Sequence, residues 1–370
     1  MATQNWKNWQ RAVIKVGSAL IAPDGKKVSG QYVLPIAKFI NHAKAQGKEV
    51  ILVSSGSVAA GRGNISSHEQ GTTIAEKQAM AAVGQAQMMA NWQRFFDFSC
   101  AQLLITHGDL KDRRRYVNIK NTVRELLSNG VLPVFNENDT VATEELKVGD
   151  NDNLAALVAL VCEADIMFIC SDINGLYEAD PRTNPEAKLL PEVPEVTPEI
   201  YKLAGGTTNK IATGGMKTKL QAAEKTTNNG IHTFIVNGKD DQVFEKLSRT
   251  EHVGTWFKAV ENRETAKKQW LKHTLKSVGE VTIDAGAAKA LSNQGASLLA
   301  KGVTSISGDF VRGDAINILY DGVVVGRGLS QYSQTELSAI AGRESNEFEL
   351  ILGFKHKNEV IHRDDLVIFK

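Results

Sequence analysis

Short apolar runs recur along residues 11–240, separated by stretches with helical periodicity. This alternation leaves the chain few architectures. The runs are Ala12–Val16, Glu49–Val53, Gln102–Thr106, Val131–Phe135, Ile166–Cys170 and His232–Val236. Between them, apolar residues fall at helical spacing, as at Tyr116, Ile119, Val123, Leu126 and Leu127, which is the pattern of one buried helix face. Strands alternating with helices pair in parallel, because each helix carries the chain back across the sheet. The expected fold is therefore α/β, a doubly wound, mainly parallel sheet sandwiched by helices. Such sheets bind ligands beyond the carboxyl ends of their strands. Chemistry is to be sought in the residues just after each run.

The first run ends in Lys15-Val16-Gly17-Ser18. Lysine is rarely buried without a partner, so Lys15 either lies on an edge strand facing water or answers a negative group inside the fold. After the second run, Ser54-Ser55-Gly56-Ser57 supplies small residues that let backbone N–H groups approach a ligand. After the fourth comes Asn136-Glu137-Asn138-Asp139, and about a dozen residues on Gly149-Asp150-Asn151-Asp152-Asn153 opens a helix. That helix has its apolar face at Leu154, Leu157, Val158, Val161 and Cys162. One or two such short polar side chains would cap it, but the unbroken series from Asp150 to Asn153 exceeds what a cap can use. The two clusters together suggest a polar pocket for a small zwitterion or a metal–phosphate. The fifth run is followed by Ser171-Asp172. Then Thr213-Gly214-Gly215-Met216-Lys217-Thr218-Lys219 opens a further helix with lysines in its first turns. Oriented N–H groups, a helix dipole and mobile positive charge suit a polyphosphate, although a glycine turn before a solvated basic helix has the same appearance. Thr73 and Glu76 form the capping-box pattern of one more helix.

Composition narrows the functional classes. The 370 residues carry a net charge of +1, which gives no general attraction to nucleic acid or membrane surfaces. The three cysteines, Cys100, Cys162 and Cys170, lack metal or redox spacing and read as thiols in a reducing compartment. No apolar segment is long enough to span a bilayer and no secretory h-region is visible, so a cytoplasmic protein is expected. Neither a Walker A motif nor G-x-G-x-x-G occurs. His362-Arg363-Asp364 mimics part of a protein-kinase loop but lacks the downstream Asn. Near residue 258 the pattern changes. Residues 259–276 are charge-rich and read as a helical linker, and 277–370 carry short glycine-punctuated runs with one helix at Ala285–Asn293. The expected division is 1–258, a linker at 259–276, and a small β-rich domain at 277–370.

Taken together, Ile14-Lys15-Val16-Gly17-Ser18, Ser54-Ser55-Gly56, Asn136-Glu137-Asn138-Asp139, Gly149-Asp150-Asn151-Asp152-Asn153 and Thr213-Gly214-Gly215-Met216-x-Thr218-Lys219 resemble the amino acid kinase family. The C-terminal part, with Gly295-Ala-Ser-Leu-Leu-Ala-Lys301-Gly302-Val303 and Gly308-x-Phe310-x-x-Gly313-Asp314, is similar to a PUA module. The resemblance implies transfer of the ATP γ-phosphoryl group to the side-chain carboxylate of L-glutamate, with Mg²⁺ on the nucleotide. It implies catalytic roles for Lys15, Asp152 and Lys219, and amino-acid contacts from Ser55, Asp139 and Asn151. ATP contacts are implied for Lys15, Gly17, Ser171, Asp172 and the segment Thr213, Gly214, Gly215, Met216, Lys217, Thr218 and Lys219, with N–H donation from Gly17, Gly56, Gly214 and Gly215. Feedback inhibition by proline and a homo-oligomer, dimer or tetramer, follow from the same likeness. Ser171 and Ser54 stand where the family has Thr, and Lys217 where a small residue is common. Aspartate or N-acetylglutamate as the acceptor is the nearest alternative. An RNA-binding regulator is a more distant one, because residues 278–370 hold nine Lys and Arg against twelve Asp and Glu, the wrong sign for a phosphate backbone.

Overall fold

The computed structural model of the chain describes residues 6–65, 72–142, 151–204, 215–260 and 277–369. Its two compact units are Met1–Asp109 with Lys120–Arg263, and Leu110–Ile119 with Glu264–Lys370.

In the first unit the strands are β1 Arg11–Val16, β2 Glu49–Ser54, β3 Cys100–Ile105, β4 Leu132–Glu137, β5 Ile166–Ser171, β6 Glu192–Val193, β7 His232–Asn237 and β8 Thr255–Phe257. The helices up to residue 248 are α1 Ser18–Ile21, α2 Val33–Ala45, α3 Ser57–Gly61, α4 Ile74–Gln93, α5 His107–Lys111, α6 Arg113–Ser128, α7 Asn151–Val161, α8 Pro198–Leu203, α9 Met216–Thr227 and α10 Asp241–Ser248, of which residues 110–119 in α5 and α6 fall in the second unit. The strands form one sheet in the order β3-β4-β2-β1-β5-β7-β8-β6, parallel except where β8 runs against β7. Each of the long strands expected from sequence is present to within two residues. The short strands β6 and β8 went unread, β6 because it lies in the proline-rich segment 179–198.

Side-chain alternation sorts β1 between two environments. Ala12, Ile14 and Val16 enter an aromatic core with Trp9, Phe39, Phe168 and Phe234, where α2 and α10 pack together. Lys15 faces the other way, the side on which α7 lies against β1. Strand β1 is central, with Lys15 in register between Val53 of β2 and Ile169 of β5. The edge-strand alternative for Lys15 is therefore excluded. The sheet order also reverses at β1, with β2 on one side and β5 on the other, and a doubly wound sheet opens its ligand crevice at such a point. Thr73 and Glu76 close the expected capping box on α4.

The second unit holds a five-stranded sheet and a two-stranded ribbon around Val281, Ile316, Ile318, Tyr332, Phe348 and Val360. The expected helix is present as Ala285–Gln294. Two further helices, Gln334–Ile340 and Phe348–Leu352, depart from the single-helix expectation. They are short, so their periodicity is faint, although Ser333 and Glu336 form a full capping box that went unread. Near the C-terminus lie two short strands, Glu359–Ile361 and Leu366–Ile368, divided by the turn Arg363–Asp365.

Candidate active site

Lys15 comes from β1, Asp152 from the first turn of α7 and Lys219 from the first turn of α9. These helices pack together. Lys15 Nζ stands 2.6 Å from Asp152 Oδ1 and Lys219 Nζ 2.9 Å from Oδ2. The Lys219 contact is an aligned hydrogen bond, whereas the Lys15 contact is an ion pair by distance without that alignment. Thr218 Oγ1 lies 2.9 Å from Asp152 Oδ2 and 2.8 Å from the Gly215 carbonyl oxygen, sharing one proton between them. All three charged residues are buried, Asp152 to 1% exposure. Burial alone would raise the Asp152 carboxyl, but Lys15 and Lys219 override it and hold it at about 2. The Lys219 ammonium is drawn below its ordinary value, chiefly by burial, with Asp152 opposing and Lys15 adding to the fall. A buried carboxylate between two ammonium groups leaves one net positive charge facing the crevice. That suits an incoming phosphoryl group.

Beyond β2 and β4 lies a second cluster. Asn151 Nδ2 donates to Ser55 Oγ at 2.8 Å and to Asn136 Oδ1 at 2.9 Å. Asn136 Nδ2 donates to Gln85 Oε1 at 2.8 Å. Gly56 joins Ser55 to α3 with φ of 101°, and a Cβ there would stand 3.0 Å from the Ile21 side chain, so this sharp turn requires glycine. The turn lets Ser57 Oγ donate to Asp139 Oδ2 at 2.9 Å. Desolvation lifts the Asp139 carboxyl to about 6, with Ser57 opposing and Glu137 adding to the rise. Glu137 is buried, and His107 Nδ1 stands 3.6 Å from its Oε1, too far for a hydrogen bond. Asp139 beside the buried Glu137 makes a confined acidic pair suited to a cation.

The remaining expected residues sit at the carboxyl ends of β1 and β5 and at the start of α9. The Gly17 N–H donates to the Cys170 carbonyl at 3.1 Å. That bond occupies the N–H from which donation to a ligand was expected. A Cβ there would lie 3.9 Å from Lys15 Nζ, so Gly17 keeps space beside the lysine. Ser171 Oγ donates to Asp172 Oδ1 at 3.3 Å, and Asp172 is exposed at 3.9 Å from Lys239 Nζ. Gly215 caps α9, Met216 is half-buried and Lys217 is exposed. Thr213 and Gly214 lie outside the described residues, as do Gly149 and Asp150. The expected site list omitted Ser57, Gln85, Asn136 and Glu137. Asn136 and Glu137 carried a signal, being polar residues at the end of a buried strand. Ser57 and Gln85 carried a weaker one, since each is a polar residue on a mostly apolar helix face.

Residues 10–237 match the amino acid kinase family and residues 279–352 match the PUA domain. The chain belongs to the amino acid kinase family. Its full-length relatives are glutamate 5-kinases. It is 52% identical to that of Idiomarina loihiensis over 98% of each chain. It is 50% identical to that of Salinibacter ruber over the whole of both. With the enzyme of Xanthomonas axonopodis pv. citri the identity is 49% over 96% of this chain and all of the relative.

Proposed function

We propose that the chain transfers the γ-phosphoryl group of ATP to the side-chain carboxylate of L-glutamate, giving L-glutamyl 5-phosphate for proline biosynthesis. The carrying observation is the buried Lys15–Asp152–Lys219 triad beside a separate acidic and amide cluster, in a chain whose full-length relatives bear the name glutamate 5-kinase.

The chemistry needs no general base, because a side-chain carboxylate of pKa ~4.3 is ionised at neutral pH. The difficulty is electrostatic, since an anion must approach an anion while charge spreads over the phosphoryl oxygens. Lys15 meets the transferring group and Lys219 the departing ADP. Asp152 fixes both ammonium groups, and as an anion it is favoured by the N-terminus of α7. The substrate ammonium goes to Asp139, and Ser55 and Asn151 orient the amino acid. Ser171 and Asp172, with residues 213–219, take the nucleotide. Among the described residues no group of three His, Cys, Asp or Glu could hold a metal ion, and Asp152 is committed to two lysines. Mg²⁺ is expected on the nucleotide's phosphates, with no ligand assigned to it from the described residues.

Proline as feedback inhibitor and a dimeric or tetrameric assembly belong to the same reading and rest on family likeness. So does the division at 1–258, 259–276 and 277–370, which proteolytic cleavage confined to 259–276 would support. Among the described residues no helix is long and apolar enough to cross a membrane. The unpaired Cys100, Cys162 and Cys170 fit the reducing cytoplasm.

The deciding experiment measures ADP release with glutamate, aspartate and N-acetylglutamate as acceptors. Turnover with glutamate alone supports the proposal, and preference for either of the others overturns it.

A further inference from the structure

Helix α4 carries a buried face of Met80, Ala81, Gly84, Gln85, Met88 and Trp92. Gly84 lets α3 approach so closely that a Cβ there would stand 1.9 Å from the Ser57 carbonyl oxygen. On this face Gln85 is only 6% exposed. Its Oε1 accepts from Asn136 Nδ2 at 2.8 Å, Asn136 Oδ1 accepts from Asn151 Nδ2 at 2.9 Å, and Asn151 Nδ2 also reaches Ser55 Oγ at 2.8 Å. The links from Asn151 to Asn136 and from Asn136 to Gln85 each run from an amide N–H to an amide oxygen, so fixing one amide fixes the next.

The polarity of the chain has consequences at both of its ends. Asn151 Oδ1 and Gln85 Nε2 are buried without a hydrogen-bond partner among the described residues. A buried polar group left unpaired costs about 1–3 kcal/mol, so Asn151 Oδ1, beside the amino-acid cluster, marks a place a ligand completes. An asparagine amide can turn over at little steric cost, and turning Asn151 would exchange an acceptor for a donor facing the amino-acid cluster. Asn151 does not choose alone, because Asn136 must present oxygen to it. Asn136 in turn presents oxygen only while its own Nδ2 has an acceptor, which is Gln85 Oε1.

We propose that Gln85 is a positioning residue. It holds the amides of Asn136 and Asn151 turned so that Asn151 Oδ1 accepts from the ammonium group of an amino-acid substrate. This rests on the amino acid kinase reading above, and it adds a residue that touches neither substrate nor nucleotide. Gln85→Met keeps the volume and removes the acceptor, freeing Asn136 to turn. Gln85→Glu keeps an oxygen for Asn136 in either protonation state.

The test is steady-state kinetics on the full chain with glutamate and ATP, after thermal melts establish that each variant is folded. Gln85→Met should raise the glutamate KM about tenfold, the scale of one hydrogen bond to a charged group, with the ATP KM unchanged and kcat within about threefold. Gln85→Glu should restore the glutamate KM to within about threefold of the parent, since the amide chain keeps its direction. Gln85→Leu takes the place of Gln85→Met if the latter does not fold. An unchanged glutamate KM in the apolar variant, equal rises in both KM values, or a Gln85→Glu as impaired as Gln85→Met would overturn the positioning role. A parent chain without glutamate-dependent ADP release would instead overturn the functional reading beneath it.

Discussion

At the lysine end of the site the one buried carboxylate is paired on both sides within the chain. At the amide end several groups wait. Lys15 and Lys219 close on Asp152 from both sides, and the carboxyl is held at about 2, far from any physiological titration. Among the described residues Asp139 has a serine hydroxyl and a neighbouring carboxylate beside it, and it is lifted to about 6. Asn151 Oδ1 and Glu137 Oε1 are buried without hydrogen-bond partners among the described residues. The contrast suits the two tasks. A transfer centre works by electrostatics set in advance of the reaction, whereas a selective binding site leaves its polar groups unmet until the right ligand completes them.

The largest break in this comparison comes from Lys219→Met. Removing one fixed cation from the transfer centre should lower kcat about 10²-fold or more while leaving the KM for glutamate near its parent value. Lys15 and Thr218 remain beside Asp152, so the carboxylate is not left alone and the fold should persist. A folded variant with near-normal kcat would remove Lys219 from the transfer centre.

Asp139→Ala acts on the other end. Loss of a charge-assisted partner for the ammonium should raise the glutamate KM about 30-fold, roughly 2 kcal/mol, with little change in the ATP KM. If kcat alone fell, Asp139 would belong with the lysines, and the distinction between the two ends would collapse.

Acid should distinguish the ends without mutation. A carboxyl raised to about 6 is ionised above that pH and protonated below it, and only the ionised form holds an ammonium ion. The glutamate kcat/KM should therefore fall about tenfold per pH unit below ~6. Asp152, at about 2, contributes no limb between pH 4 and 9. Asp139→Asn should abolish the acid limb. A limb that survives this change belongs to another group.

The two ends differed in how openly the sequence declared them. A lysine inside an apolar strand and another just past a glycine pair are conspicuous, because burial of either demands a counter-charge. Asp152, in a polar series longer than any cap requires, supplies it. Gln85 is different. Its partner Asn136 is 51 residues away, and its role exists only because α4 lies over the end of β4, a tertiary fact that no local pattern encodes. Gly17 was legible as a glycine at a strand end, but the destination of its N–H was not, since that depends on β5 being its neighbour. In the second unit, helices of seven and five residues are too short for periodicity to separate them from loops.

Lys217 offers the smallest effect and the sharpest control on the comparison. It lies two residues before Lys219 on α9 and is the same residue type, but it is exposed where Lys219 is 3% exposed. Helical geometry explains the difference. Two residues turn the side chain through about 200°, so the two lysines leave opposite faces of α9. If positive charge near the phosphates were enough, the two would be interchangeable. If a buried, fixed ammonium is what counts, they are not, because an exposed charge is screened by water and salt and is worth about 0–1 kcal/mol. Lys217→Met should therefore leave kcat within about twofold and raise the ATP KM by no more than about threefold. Any such rise should shrink further in 0.5 M salt, because added ions screen exposed charges most strongly. Kinetics of the Lys217→Met and Lys219→Met variants, run side by side at low and high salt, make the measurement. A Lys217→Met defect as large as that of Lys219→Met would mean that Lys217 turns inward when nucleotide is bound, and the transfer end would then not be complete before its ligand arrives.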